Sequence, residues 1–161
     1  MAKSVFYSFH YKPDCWRVSQ VKQMGVIEGQ PLLSSNDWEE VEKGGDKKIE
    51  EYIDREMAGK KCLVVLIGAK TAGRKWVNYE IKKAWKDGMG LIGVHIHNLA
   101  NSQGEQSAKG SDPFASFTVD KEPLTKWAKC KDSSYSSSKY VYDDIAENLA
   151  SWVDAAIKLR G

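Results

Sequence analysis

The stretch at residues 62–85, CLVVLIGAKTAGRKWVNYEIKKAW, decides the fold of this chain. Residues 63–67 form a continuous apolar run, which is typical of a strand buried on both faces of a parallel sheet. After Gly68 the sequence becomes small and polar, and from Lys75 the apolar residues recur at a helical spacing. The pattern predicts strand, loop and helix, with the loop at the carboxyl end of the strand, where open α/β sheets bind their ligands.

Glu80 falls in the first two turns of this predicted helix. From that position its carboxylate can face the ligand crevice. A glutamate on a helix flank is also commonly a solvated surface residue, and here it could pair with Lys83 one turn later. The spacing by itself leaves both interpretations open.

Other apolar patterns repeat the alternation of strand and helix along the chain. The predicted strands cover residues 5–9, 31–34, 63–67 and 91–96, and the predicted helices cover 14–24, 46–57 and 75–86. We expect Asp14 to cap the first helix, and we expect a polar loop with one large aromatic at residues 34–38. The alternation predicts a doubly wound, mostly parallel α/β sheet with helices on both faces.

The last third of the chain carries weaker signals. It divides into a long surface loop (about 101–116), a short edge strand (124–128), a serine-rich connector (133–138) and a closing helix (about 144–159). Asp144 and Glu147 resemble a capping box for that helix. A chain of 161 residues with one sheet is expected to form a single domain over residues 1–161.

Composition favours an intracellular protein with free thiols. The 24 basic and 22 acidic residues are spread along the chain, so the net charge of +2 predicts no nucleic-acid surface. The three cysteines are far apart, which is typical of reduced thiols in a cytoplasm. The start, MAKSVFYSF, lacks the apolar core of a signal peptide, and no run is long enough to span a membrane. We therefore expect a cytoplasmic location.

The glycine-containing loop at residues 68–75 is not a Walker motif. That motif requires lysine and then serine or threonine directly after its second glycine, whereas Gly73 is followed by Arg74, Lys75 and Trp76. Backbone amides and Lys75 at the helix start could still favour an anion, and a solvated turn is the alternative.

The histidines do not indicate metal or acyl-transfer chemistry. His95 and His97 are two apart on a predicted strand and face the same way, but no carboxylate or thiol at a suitable spacing completes a metal site. The spacing pairs His10 with no serine or cysteine nucleophile, and Ser8 alone does not indicate a hydrolytic triad. We expect no metal.

Five segments, taken together and in order, resemble the TIR-like family that includes the Thoeris antiphage signalling component. They are SVFYSFHY (4–11), SSNDWEE (34–40), CLVVLIGAKTAGRKWVNYEI (62–81), GLIGVHIHNL (90–99) and KGSDPF (109–114). The resemblance covers most of residues 3–117 and implies a flavodoxin-like arrangement of the sheet.

The resemblance also implies a site. In TIR domains that cleave NAD, the catalytic glutamate follows a tryptophan by four residues on the helix after the third strand, and Trp76-Val-Asn-Tyr-Glu80 matches that context. The same resemblance implies that the substrate contacts Ser8, Phe9 and His10, at the end of the first strand, Asp37 and Trp38, after the second, and Trp76. The family often has arginine where this chain has His10. Trp38 could instead cover an edge of the core.

The implied activity is cleavage of the nicotinamide–ribose bond of NAD, which is a substrate here and not a cofactor. The product would be an ADP-ribose-type signal, linear or cyclic, that reaches a separate effector in bacterial antiphage defence. TIR enzymes commonly self-associate. The alternative is a non-catalytic TIR-like interaction module that signals by self-association through the segment around Asp37 and Trp38, because one fold serves both purposes.

Overall fold

The computed structural model describes residues 4–161, with Ser35 described by its backbone alone. The strands are β1 (Ser4–Ser8), β2 (Glu28–Gly29), β3 (Cys62–Ile67), β4 (Gly90–His95), β5 (Thr118–Val119), β6 (Glu122–Pro123) and β7 (Lys129–Lys131). The α-helices are α1 (Tyr11–Gln23), α2 (Ser35–Lys43), α3 (Gly45–Met57), α4 (Lys75–Lys86) and α5 (Ser138–Arg160).

Five strands form one parallel sheet in the order β2-β1-β3-β4-β7. This is the flavodoxin-like order, so the predicted fold class is confirmed. The strand order reverses between β1 and β3: β2 is added on one side of β1, and β3, β4 and β7 follow on the other. At this point Ser8 lies beside Val65. Ligands of such sheets bind in the crevice at that reversal, outside the carboxyl ends of the strands.

Helices cover both faces of the sheet. On one face, Val18 of α1 and Leu149 of α5 pack against Val64 of β3. On the other face, Ile53 of α3 and Ile81 of α4 pack against the alternate residues of β3, which are Leu63, Val65 and Ile67. All six residues of β3 are buried, as the apolar run predicts, and α4 spans the residues predicted for it.

The segment after α1 differs from the prediction. The strand predicted at 31–34 is wrong, because β2 lies earlier, at Glu28–Gly29. Beyond it the side chain of Gln30 replaces a strand, accepting from the Tyr7 backbone N–H at 2.8 Å and donating to the Tyr7 carbonyl at 2.9 Å. The polar loop predicted at 34–38 is the beginning of α2, whose N-cap Ser34 accepts from the Asp37 N–H at 3.1 Å.

Asp14 does not cap α1, contrary to the prediction. The helix begins at Tyr11, and the Asp14 side chain lies inside the protein, 3.2 Å from Arg17. Arg17 also donates to the carbonyls of Leu99 at 2.7 Å and Glu105 at 3.0 Å. A buried charge requires partners, so Asp14 is used to hold Arg17, which anchors the loop after β4.

The C-terminal boundaries also differ. The edge strand predicted at 124–128 is a short 3-10 helix at Leu124–Lys126, and β7 follows it. Helix α5 begins at Ser138, where Ser137 accepts from the Tyr140 N–H at 3.4 Å. The capping box at Asp144 and Glu147 is therefore wrong, because both residues lie within the helix.

The long segment at 101–116 contains no helix or strand, although part of it is interior. Phe114 is fully buried against the sheet, and an added side chain at Gly110 would lie 2.0 Å from the Gly68 carbonyl oxygen. This segment therefore packs on the loop after β3. The single domain predicted over 1–161 includes residues 1–3, which lie outside the described part. Within residues 4–161, no helix has the length and apolar character that crossing a membrane requires.

Candidate active site

A cavity of about 530 Å³ opens at the carboxyl ends of β1 and β3. Of the residues predicted for the site, Phe9, His10, Trp38, Trp76 and Glu80 line it. Its position is the one that the strand order predicts for a ligand crevice. A cavity of this size is within the range that binds small molecules and cofactors.

Glu80 lies on the inward face of α4 and is 8% exposed. The fully buried Ser8, at the end of β1, donates its hydroxyl hydrogen to Glu80 Oε1 at 2.6 Å. Lys83 pairs instead with Asp87 at 3.1 Å. The interpretation of Glu80 as a solvated surface residue is therefore wrong.

The loop before α4 directs Glu80 to the crevice. Thr71 Oγ1 accepts from the Gly68 N–H at 2.8 Å, which closes the turn after β3. Gly73 then adopts a left-handed conformation, with φ +84°, and the helix begins two residues later. Because α4 packs with Val77 and Ile81 inward, Glu80 follows them to the same side.

Burial raises the pKa of Glu80 to about 8, and the hydrogen bond from Ser8 opposes part of that increase. Without a charged neighbour the carboxyl group is therefore mainly in its neutral form at neutral pH. A positive charge placed beside it in the cavity would favour the carboxylate. Such a group is suited to a reaction in which cationic character develops at the ligand.

An aromatic wall borders the cavity on the side of α2 and α3. Tyr11 stacks on Phe9 with ring centroids 5.7 Å apart and on Trp38 at 5.2 Å. Trp38 then meets Tyr52 edge to face at 6.4 Å. Asp37 is exposed and is not part of the cavity lining, so the structure brings Trp38 to the site without Asp37.

Three basic side chains also line the cavity: Lys12, Arg74 and Lys75. Arg74 Nη2 contacts His10 Nε2. Burial, and after it the charges of Arg74 and Lys70, lower the pKa of His10. This shift favours the neutral imidazole, which can accept a hydrogen bond from the guanidinium, a group that can only donate.

Sequence reasoning missed several of the lining residues. Tyr11 and Tyr52 lie on helices whose apolar spacing reveals only that they face inward, and Gln30 lies beyond a two-residue strand. Arg74 belongs to the loop that resembles a phosphate loop, so the signal for an anion site was present there. The spacing of the loop indicated Lys75 as the anion-binding side chain, but in the structure Lys75 is paired with Asp46.

The two histidines lie at the end of β4, with His95 as its last residue and His97 two residues later. His95 and His97 are buried, with ring centroids 5.7 Å apart. Within residues 4–161, no three histidine, cysteine, aspartate or glutamate side chains come together as a metal site requires. Cys15, Cys62 and Cys130 are free thiols.

Comparison with known proteins agrees with this architecture. A sequence profile described as "Thoeris protein ThsB, TIR-like domain" matches residues 6–101, more than half of the chain. The chain is also 34% identical over 119 residues to "Putative cyclic ADP-D-ribose synthase ThsB1" of Bacillus cereus (strain MSX-D12), a match that spans 71% of this chain and 62% of that protein. The matched region contains the strand, loop and helix that form the cavity, and the chain belongs to the Thoeris ThsB TIR-like domain family.

Proposed function

We propose that this protein cleaves the nicotinamide–ribose bond of NAD and releases an ADP-ribose-type signal. The observation that carries the proposal is the buried Glu80, held by Ser8 at the base of a ligand-sized cavity. Membership of the ThsB family and the printed name of the Bacillus cereus relative support the same substrate. The signal would act on a separate effector in bacterial antiphage defence.

One carboxylate suffices for this reaction. The nicotinamide of NAD is a cationic pyridinium and leaves as a neutral pyridine, so the leaving group needs no proton, unlike that of most glycosides. The electron pair of the breaking C–N bond goes to nicotinamide, and positive charge develops on the ribose. Glu80 would stabilise that oxocarbenium-like ribose.

Ser8 would prepare Glu80 for this role. Its hydroxyl occupies Oε1 of the carboxylate at 2.6 Å and thereby orients the group. The second oxygen, Oε2, would then accept a hydrogen bond from a ribose hydroxyl of the substrate. The cationic nicotinamide would also favour the ionised form of Glu80, because an adjacent opposite charge lowers the pKa of a carboxyl group.

The identity of the nucleophile would decide the product. If water attacks the ribose cation, the product is linear ADP-ribose and one proton is released. If the cavity folds the ligand and excludes water, an atom of the ligand itself attacks and the product is cyclic. The aromatic wall of Phe9, Tyr11 and Trp38 provides a surface on which the adenine could fold back.

NAD turnover followed by product mass tests the proposal. Wild-type protein and Glu80→Gln would be assayed at high concentration and in lysate of phage-infected cells, where an activator is available. Glu147→Gln is the matched control, because Glu147 is exposed on α5, away from the cavity. We expect loss of turnover in Glu80→Gln alone. Full activity of Glu80→Gln would overturn the assignment.

A second candidate function is a non-catalytic module that signals by self-association. Exposed aromatic side chains favour it: Trp16 is 54% exposed, and Tyr135 and Tyr140 are 51% and 56% exposed. Trp38, which the sequence suggested for this role, is partly covered by its stacking on Tyr11. Light scattering of wild-type protein, Trp16→Ala and Trp38→Ala tests it. The candidate requires wild-type assembly that at least one substitution weakens, together with no NAD turnover.

A further inference from the structure

The charges around the cavity are unevenly distributed. Glu80 is buried at its base, whereas Lys12, Arg74 and Lys75 lie at its exposed rim. The cavity therefore has a carboxyl group at its base and an excess of positive charge among its exposed side chains, where Glu42 adds one carboxylate to the three cations. A ligand that fits it carries cationic character at one end and negative charge near the other.

The rim cations are not equivalent. Lys75 pairs with Asp46, and its ammonium group lies 4.9 Å from the ring centroid of Trp76. Glu42 is the other carboxylate that lines the cavity. No carboxylate within residues 4–161, Glu42 included, forms an ion pair with Arg74 or Lys12. These two cations keep their full charge for a ligand.

Arg74 is held in place by a neutral partner. Its Nη2 donates to His10 Nε2, across 64 residues of sequence. A carboxylate in the place of His10 would neutralise the guanidinium, whereas an imidazole orients it and leaves its charge unchanged. The remaining N–H groups of the Arg74 guanidinium can donate to a ligand, and phosphate oxygens match their geometry.

We infer that Arg74 binds the diphosphate of the dinucleotide substrate and that His10 is a positioning residue, which holds the Arg74 guanidinium at the rim of the cavity. The inference rests on the proposed function for its ligand. Arg74 lies six residues before Glu80, about 9 Å along a helix axis. One ribose ring and the reach of the two side chains span that separation.

The arrangement predicts selectivity for ligands that contain a diphosphate. Nicotinamide riboside offers the same scissile bond but no phosphate for Arg74, so it would bind less tightly than NAD. The orientation of the substrate also follows. The nicotinamide ribose lies by Glu80, the diphosphate by Arg74, and the adenine extends towards the aromatic wall.

Binding of ADP-ribose, measured by calorimetry, tests the inference without turnover. Adenosine, which has no phosphate, is the second probe. Arg74→Gln should weaken ADP-ribose binding roughly 10- to 100-fold, as expected for hydrogen bonds to a charged group, and leave adenosine binding unchanged. Lys86→Gln is the matched control, since it removes the same charge from the exposed far end of α4.

Two variants of His10 test its positioning role. His10→Ala removes the acceptor for Arg74 and should weaken ADP-ribose binding severalfold. His10→Gln restores an acceptor oxygen and should recover most of the affinity. A residue that merely stabilised the fold would weaken adenosine binding equally, and its loss would lower the melting temperature.

The contrary outcomes are distinct. Unchanged ADP-ribose affinity in Arg74→Gln, or an equal loss for both probes, overturns the inference while NAD turnover by the wild-type protein still supports the proposed function. Absence of ADP-ribose binding to the wild-type protein overturns the inference as well. Absence of both binding and Glu80-dependent turnover removes the proposed function.

Discussion

Ser8 and Glu80 are 72 residues apart in the sequence, and the serine hydroxyl lies 2.6 Å from the glutamate Oε1. The contact joins the end of β1 to the second turn of α4 at the point where the strand order reverses. Since both side chains are buried, the hydrogen bond has little competition from water.

Removal of the Ser8 hydroxyl should shift the pH dependence of NAD cleavage. The hydrogen bond lowers the pKa of Glu80, so in Ser8→Ala that pKa rises further above its usual range. We expect roughly tenfold lower activity at pH 7 and recovery at higher pH, measured as kcat against pH. Ser151→Ala, an exposed position on α5, is the control. A uniform loss at every pH would instead indicate a structural role.

The raised pKa of Glu80, about 8, also predicts how stability depends on pH. Between the ordinary glutamate pKa of about 4.5 and about 8, the unfolded chain loses this proton while the folded protein keeps it, so stability falls as pH rises. Glu80→Gln removes this dependence of the free energy of unfolding on pH. Its stability advantage over the wild-type protein should be absent below pH 4.5 and reach a few kcal/mol above pH 8, since one pKa unit is about 1.4 kcal/mol.

Urea unfolding of both proteins between pH 5 and pH 9 would measure this difference. The exposed control Glu147→Gln should follow the wild-type curve. If Glu80→Gln and the wild-type protein showed parallel curves, Glu80 would titrate normally in the folded state.

Loss of Arg17 should destabilise the loop that follows β4. Arg17→Leu would leave the Asp14 carboxylate, 2% exposed, without its partner and release the carbonyls of Leu99 and Glu105. Breaking a buried pair in this way costs about 3–5 kcal/mol. Urea unfolding measures the loss, and hydrogen exchange should show the greatest change at residues 99–107.

The matched control is the exposed pair of Lys43 and Glu40, whose side chains are 73% and 75% exposed. Lys43→Leu should change stability by less than about 1 kcal/mol. Equal effects of the two substitutions would show that the buried pair contributes no more than a surface pair.

Truncation of Trp38 should weaken substrate binding. Its indole stacks on Tyr11 in the wall of the cavity, and base-on-aromatic stacking is worth about 1–3 kcal/mol. We expect Trp38→Ala to raise KM roughly tenfold, and Trp38→Phe, which retains a ring, to recover most of the loss. Steady-state kinetics with NAD measure both. An unchanged KM in Trp38→Ala would remove Trp38 from the substrate site.

Elements with a strong local pattern were predicted well. The run at β3 is typical of a buried strand, and α4 carries a helical stripe of Val77, Ile81 and Ala84. Both patterns depend on neighbours within one or two turns of the chain. The order of strands and helices, and hence the doubly wound sheet, followed from them.

Weak or short elements were not predicted, because distant contacts define them. Strand β2 has two residues, and its pairing is continued by the Gln30 side chain on the Tyr7 backbone. The serine-rich stretch before α5 resembles a connector, but Ser137 caps the helix there. A serine that caps a helix and a serine in a loop look alike in sequence.

The sequence by itself determined the fold class, the position of the loop after β3 and the presence of Glu80 one helical turn after Trp76, since these depend on local periodicity and spacing. Only the tertiary structure decided that Glu80 is buried against Ser8 and that Arg74 contacts His10. Those pairs are 72 and 64 residues apart and meet because parallel pairing aligns the carboxyl ends of β1 and β3. Burial at that junction removes water from Glu80, and the resulting change in its pKa depends on packing that local sequence does not reveal.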